Sequence, residues 1–390
     1  MTAEGPPGRP RSLYLHIPFC TRPCPYCDFA IQVGGGDLQE RYLTALLEEL
    51  SWLAEAGVAR PLETVYLGGG TPSLLRPELL ERLLEAVAAG LGVTAGAEVT
   101  LEANPEGVTV DRVRQWTSLG VNRVSLGVQS LDDRTLGWLG RSHDAAQAEA
   151  ALRALRAGGV SNLSCDLIYA IPGQDAKSFE RGLRRVLEHQ PEHLSCYELT
   201  VEPGTPFGRR VARGREPAPA VDDFLEQRRL AVAVLGAAGL ERYEVSNYAR
   251  PGFESRHNLA CWEGAAYLAV GCGAHGFLGA TEARRLGFEG RGRALRYWHL
   301  RNAATYIRSV RAGGRGVRGH EWLGAEDLAL ERLACGLRLA AGIELEAPAQ
   351  LRTAVELESL GLLEVAGSRV RATSSGVEVL DRLTLELAGS

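Results

Sequence analysis

The chain has 390 residues, room for two or three domains or for one large barrel with an appendage. Hydrophobic residues make up 45% and charged residues 23%, an ordinary globular balance. The net charge of −5 argues against nucleic acid as the main partner, because phosphate binding asks for a basic surface.

No apolar run approaches the ~18 residues of a membrane helix. The opening stretch MTAEGPPGRPRS lacks the apolar stretch of an export signal. The expectation is a cytoplasmic protein without an integral membrane segment, its eight cysteines reduced.

In chain order, β-rich runs alternate with helical patterns. Ser12–Ile17, Thr64–Leu67, Glu98–Glu102, Val121–Val128, Leu163–Tyr169 and Leu194–Leu199 read as strands. Leu38, Tyr42, Leu46, Leu50 and Leu53 recur at helical spacing, as do Leu79, Leu80, Leu83, Leu84 and Val87. Asp111–Leu119 stops at Gly120 and Asp144–Ala157 at Gly158-Gly159. Six such units predict an α/β fold, a partial (β/α)6 barrel with right-handed crossovers. Pro203–Pro219 reads as an exposed loop, and Val221–Gly239 as a helix returning to the sheet domain.

Beyond about residue 285 the strand pattern is expected to stop. Helices are expected at Leu295–Arg311, Ala325–Leu339 and Ala349–Leu360. A strand pair, Leu362–Val365 and Arg369–Ala372, and a last helix follow. The expected division is a core of 1–285, including a 203–285 extension, and a helical, winged-helix-like domain of 286–390. The mixed charge of its wing and last helix favours packing or docking over DNA binding.

In parallel βα folds, ligands meet the carboxyl ends of the strands. His16 and Cys20, then Gly68-Gly69-Gly70, Glu102, Gln129 and Asp166 all fall at or near such ends. Cys20, Cys24 and Cys27 have the spacing C-x₃-C-x₂-C, so three thiolates fold around one metal centre. Structural zinc would need a fourth ligand, for which His16 is the candidate. A [4Fe–4S] cluster held by three cysteines keeps one iron open for a ligand that is not protein. S-adenosylmethionine (SAM) can fill that place through its amino and carboxylate groups.

This motif resembles that of the radical SAM superfamily. Tyr26 matches the aromatic residue before the last cysteine, which packs near the adenine. Gly68-Gly69-Gly70-Thr71-Pro72 resembles the family's stretch that binds the amino group.

The likeness extends over nearly the whole chain. Tyr14-x-His16-Ile17-Pro18-Phe19-Cys20, Glu102-Ala103-Asn104-Pro105, Gly127-Val128-Gln129-Ser130 and Leu139-Gly140-Arg141-x-His143 resemble the oxygen-independent coproporphyrinogen III oxidase group. So do Asp166-Leu167-x-Tyr169-x-Ile171-Pro172-Gly173-Gln174 and Gly271-Cys272-Gly273-Ala274-His275-Gly276. The resemblance implies that Tyr14, Gly69, Glu102 and Ala274 contact the cluster-bound SAM. It implies that Gly70, Thr71, Gln129, Arg141 and Asp166 line a second SAM position.

Two branches of that group differ. The decarboxylating oxidases carry a further cysteine two residues after the third, where this chain has Phe29. They also carry a longer segment before the first strand than the ~12 residues here. Both departures resemble the sister family of heme chaperones, HemW, which binds heme and delivers it to heme proteins such as membrane-associated respiratory enzymes. That family's His-Asn-x-x-Tyr-Trp segment is similar to His257-Asn258-Leu259-Ala260-Cys261-Trp262, with Cys261 in place of tyrosine. The resemblance implies His257 as a heme ligand, with Cys261 as the other candidate. Oxidative decarboxylation of coproporphyrinogen III is the alternative function. The sequence leaves the heme recipient and the oligomeric state open, a homodimer included.

Overall fold

The computed structural model describes residues 7–389. The first six residues of the stretch read for an export signal lie outside it, as does Ser390. One twelve-stranded sheet organises the chain: β1 Ser12–Ile17, β2 Leu62–Gly69, β3 Val93–Ala103, β4 Arg123–Gln129, β5 Leu163–Tyr169, β6 His193–Glu198, β7 Glu241–Arg242, β8 Asn247–Ala249, β9 Tyr267–Val270, β10 His275–Gly279, β11 Ala294–His299 and β12 Val317–Leu323. Their spatial order is β12-β11-β10-β9-β1-β2-β3-β4-β5-β6-β8-β7. Strands β1 to β6 run parallel, the six-unit arrangement expected from the sequence. β9 adds to β1 in parallel, and β10 to β12 continue as an antiparallel meander.

The crossover helices follow from their apolar stripes. α1 (Asp37–Glu55) buries Tyr42, Leu43, Leu46, Leu50 and Leu53. α2 (Pro77–Leu91) starts on a proline, buries Leu79, Leu80, Leu83 and Val87, and ends at Gly92 with φ +73°. α3 (Val110–Ser118) is capped by Thr109, and α4 (Ala145–Ala157) by a capping box of Asp144 and Gln147. α5 (Ala176–Leu187) and α6 (Val221–Ala237) complete the layer. Each leucine these stripes bury contributes about 1.5–3 kcal/mol. The opposite, inward face of the strands is polar. Tyr14, His16, Thr64, Tyr66, Glu102, Ser125 and Asp166 alternate with the buried aliphatics that meet the helices.

The strand-free stretch expected after residue 285 is corrected here. Residues 294–299 form β11 rather than a helix, because Leu295, Tyr297 and His299 are buried at period two while Arg296 and Trp298 are half exposed. Asn302 then caps α8 (Ala303–Arg311), the helical half of that expectation. With β12 also in the sheet, residue 285 falls inside the sheet layer.

A second core begins with α9 (Ala325–Arg338). It gathers α10 (Pro348–Ser359), α11 (Leu380–Ala388) and a three-stranded sheet of β13 (Ile343–Glu344), β14 (Leu363–Ala366) and β15 (Arg369–Ala372), ordered β13-β15-β14. Leu333, Leu337, Ala354, Leu363, Val370 and Leu383 fill it, with Val245 packed against it from the larger body. Ion pairs Arg229–Glu378 and Arg296–Glu331 join the two cores.

Candidate functional site

The cysteine loop leaves β1 and folds over the carboxyl ends of the neighbouring strands. Phe19–Cys20 forms a short parallel pair with Gln32–Val33, which anchors the loop at both ends. The Cys27 amide donates to the Cys24 carbonyl at 3.2 Å. Glycines let β2 end against this loop. Gly69 sits at φ +117°, and a Cβ there would meet the His16 ring at 2.6 Å. A Cβ on Gly70 would stand 2.5 Å from the Pro18 carbonyl oxygen. The Gly70 and Thr71 amides instead donate to the Ile17 and Phe19 carbonyls, both at 2.8 Å.

A chain of contacts joins two of the cysteines. Cys20 Sγ lies 3.8 Å from Thr71 Oγ1, and Asn104 Nδ2 donates to that hydroxyl at 2.9 Å. Arg141 donates to Asn104 Oδ1, to the Gly127 carbonyl at 3.2 Å and to Cys24 Sγ at 3.5 Å. Its Nε is buried without a hydrogen-bond partner among the described residues. Gln129 ends β4 at φ +63°, a conformation rare for a residue with a side chain. Tyr26 packs with Leu139, Ile168 and Phe207 at the same end. Burial pushes the Cys20 thiol up to about 11 and raises Cys27 as well.

Glu102 lies one step deeper. It accepts from Tyr66 Oη at 2.8 Å and from the Gly69 amide at 3.0 Å. Burial raises its carboxyl to about 7 against those bonds, and the charge of Asp166 adds to the rise. Asp166 accepts from Ser125 at 3.0 Å, and burial raises it too.

Ala274 sits apart from this group, in the turn between β9 and β10. Its carbonyl accepts from His299 Nδ1 at 2.9 Å. The other nitrogen of His299 meets Glu49, which also accepts from Tyr306 and from the Gly271 amide at 3.2 Å. Burial would depress His299, but the Glu49 carboxylate raises it overall. A buried His299–Glu49 contact therefore braces the turn that presents Ala274.

A cavity of about 380 Å³ opens on the other side of Tyr14, lined in part by His16, Phe29, His257, Cys261 and Tyr267. His257 stands on α7 (Arg256–Trp262), buried at its floor. Its Nδ1 meets Thr64 Oγ1 at 2.9 Å and its amide donates to Glu98 at 3.1 Å. Nε2 has no hydrogen-bond partner among the described residues. Burial lowers the imidazole to about 4, so it is neutral at physiological pH. Tyr66 links the two regions, its ring 6.0 Å from Tyr14 and 5.0 Å from His257. Phe29, at the position where the oxidases carry a further cysteine, is 65% exposed at the mouth.

The donor set suits a four-iron cluster with SAM. Three thiols share one loop, the Arg141 guanidinium reaches one of them at Cys24, and glycines keep the strand end free of side chains. Among the described residues no three His, Cys, Asp or Glu side chains close on a single ion. A cubane cluster takes each thiolate on a different iron and needs no such convergence. Metal binding there must displace thiol protons, which burial holds more firmly on Cys20 and Cys27.

Sequence reasoning did not single out Tyr66 and Asn104 as site residues. Asn104 follows Glu102 by two residues on β3 and its extension, which places both on one face. Tyr66 precedes Gly68 by the same step on β2, so the same rule reaches it.

Comparisons with known proteins agree with the geometry. Residues 14–186 match the model of the radical SAM superfamily. The chain is 37% identical over 388 residues to a heme chaperone HemW of Mycobacterium tuberculosis, covering 98% of this chain and 96% of that one. It is 39% identical over 278 residues to the Escherichia coli heme chaperone HemW, covering 71% and 72%. The solved structure of E. coli coproporphyrinogen III oxidase superposes with a TM-score of 0.80 at 23% identity, covering 98% and 91%, a likeness of fold. No helix among the described residues is long and apolar enough to cross a membrane.

Proposed function

From a chain that belongs to the heme chaperone HemW family of the radical SAM superfamily, we propose a protein that binds a [4Fe–4S] cluster, SAM and heme, and passes heme to recipient heme proteins in the cytoplasm or at the membrane, respiratory enzymes among them. The observation that carries this reading is His257. Its Nδ1 is held by Thr64 while its Nε2, unpaired among the described residues, stands at a cavity beside Tyr14. A histidine ligand is ordinarily oriented through its other ring nitrogen in this way.

Cys20, Cys24 and Cys27 would hold the cluster. Gly69, Glu102, Tyr14 and Ala274 would hold the SAM on it, and Gly70, Thr71, Gln129, Arg141 and Asp166 a second SAM. The cluster would supply one electron to a bound sulfonium. The chain's own residues orient and enclose: Arg141 suits a carboxylate, and Glu102 suits ribose hydroxyls.

Decarboxylation of coproporphyrinogen III is the competing reading, and one experiment separates them. The protein is purified without oxygen, its cluster rebuilt, and coproporphyrinogen III supplied with SAM and a strong reductant. The expected result is no loss of carboxyl mass with the cluster intact, while heme added to the same protein gives a Soret band. Loss of one or two carboxyl groups would overturn the chaperone reading.

A further inference from the structure

The cavity at His257 has a charged mouth that the heme reading leaves unused. Its floor is buried at His16 and His257. Its mouth is exposed at Asp28, Phe29, His275 and Arg301. Arg301 Nη2 stands 3.2 Å from Asp28 Oδ1, with each side chain 53% exposed, and it also donates to the Asp28 carbonyl. An exposed pair of this kind contributes little to stability and exchanges readily.

An iron porphyrin has three surfaces of different chemistry: an iron, a flat apolar macrocycle and two propionates. The floor offers an imidazole. The walls offer the Tyr14, Phe29 and Tyr267 rings. Among the cavity's lining residues Arg301 is the one side chain with a permanent positive charge.

Resting on the heme reading of His257, we propose that Arg301 anchors a heme propionate, taking the ligand carboxylate in exchange for Asp28. A guanidinium fork matches one carboxylate face at a time, so the two acids compete for it. The exchange has a consequence for the cluster. Asp28 directly follows Cys27, and the Leu300 carbonyl beside Arg301 accepts from the Gly273 amide at 3.0 Å. Arg301 thus ties the third cluster cysteine's segment to the turn that presents Ala274. Heme arrival would loosen that tie, coupling the occupied cavity to the cluster loop.

The test compares ferric heme with its dimethyl ester, which keeps the macrocycle and iron but carries no propionate charge. Both are titrated into the reconstituted wild type, Arg301→Leu and Arg301→Lys, with the Soret band as readout and thermal unfolding as a fold check. Wild type is expected to bind heme about tenfold more tightly than the ester. Arg301→Leu should erase that preference without moving the Soret maximum set by the axial ligand, and Arg301→Lys should restore part of it. Equal affinity of wild type for the two ligands, or a preference kept in Arg301→Leu, overturns the role of Arg301 alone. No binding of either ligand by wild type overturns the heme reading itself, and this proposal with it.

Discussion

Arg141 touches three elements at once: the cysteine loop at Cys24, the end of β4 at Gly127, and Asn104 beyond β3. That reach makes it the cross-brace of the cluster end. The cysteines themselves were legible because three thiols fall within eight residues of one loop. Gln129 and Asp166 were picked out by their place at or near strand ends, while the SAM-lining role of these two and of Arg141 came through family resemblance, Arg141 and Asp166 alone reading as surface or cap residues. Tyr66 was within reach of the strand alternation from Gly68, whereas Arg301 was illegible, because its partner Asp28 lies on a segment far along the chain. Alanine at Cys20, Cys24 or Cys27 should each abolish the brown iron–sulfur absorbance, measured with iron and sulfide content after anaerobic rebuilding. A full iron complement in all three variants would contradict the ligand assignment.

His257 yields a pH prediction. Imidazolium has no free lone pair and cannot bind iron. Burial has already lowered this group to about 4, so no proton competes with the metal above about pH 5. Heme affinity should stay flat from pH 8 to pH 6, where an ordinary exposed histidine would begin to protonate near 6.5. A midpoint near 6.5 in the axial-ligand spectrum would show that another histidine is the ligand.

At the scale of elements, the six parallel strands were legible because each is a β-rich run closed by a polar or glycine end. The meander β10 to β12 was not. Ala294–His299 mixes Leu, Arg, Tyr, Trp and His, and its period-two burial shows only once its partners β10 and β12 are in place. The turn at Ala274 depends on such late contacts. Glu49→Gln disturbs the buried contacts that Glu49 makes with His299, Tyr306 and the Gly271 amide, and a buried polar group left unsatisfied costs about 1–3 kcal/mol. Denaturant titration should show that loss, with SAM affinity falling in the folded fraction; an unchanged midpoint would mean that the pair does not brace the turn. Gly70→Ala puts a methyl group 2.5 Å from the Pro18 carbonyl oxygen. It should destabilise the fold by about 1–3 kcal/mol and weaken cluster retention. Retention equal to wild type would show that the loop yields to the methyl group.

Across the whole molecule, one polar-lined sheet serves two neighbouring regions. The cluster end lies over β2 to β5, and the His257 cavity lies beside β1 and β9. Tyr14 and Tyr66 stand between them, their rings 6.0 Å apart. The second core docks behind the His257 segment, where Arg338 of α9 lies 4.7 Å over the Trp262 ring of α7. On the proposed reading, a cofactor and a cargo would lie side by side, with a separate small body packed against the His257 segment. The measurement that tests this most directly is heme transfer. Heme-loaded, cluster-replete protein is mixed with an apo heme protein, and the recipient's Soret band is followed in time. The account predicts that recipient holoprotein forms faster than heme escapes to a passive scavenger, and that His257→Ala fails to load and so fails to deliver. Transfer no faster than passive escape, or His257→Ala loading and delivering as wild type does, would contradict it.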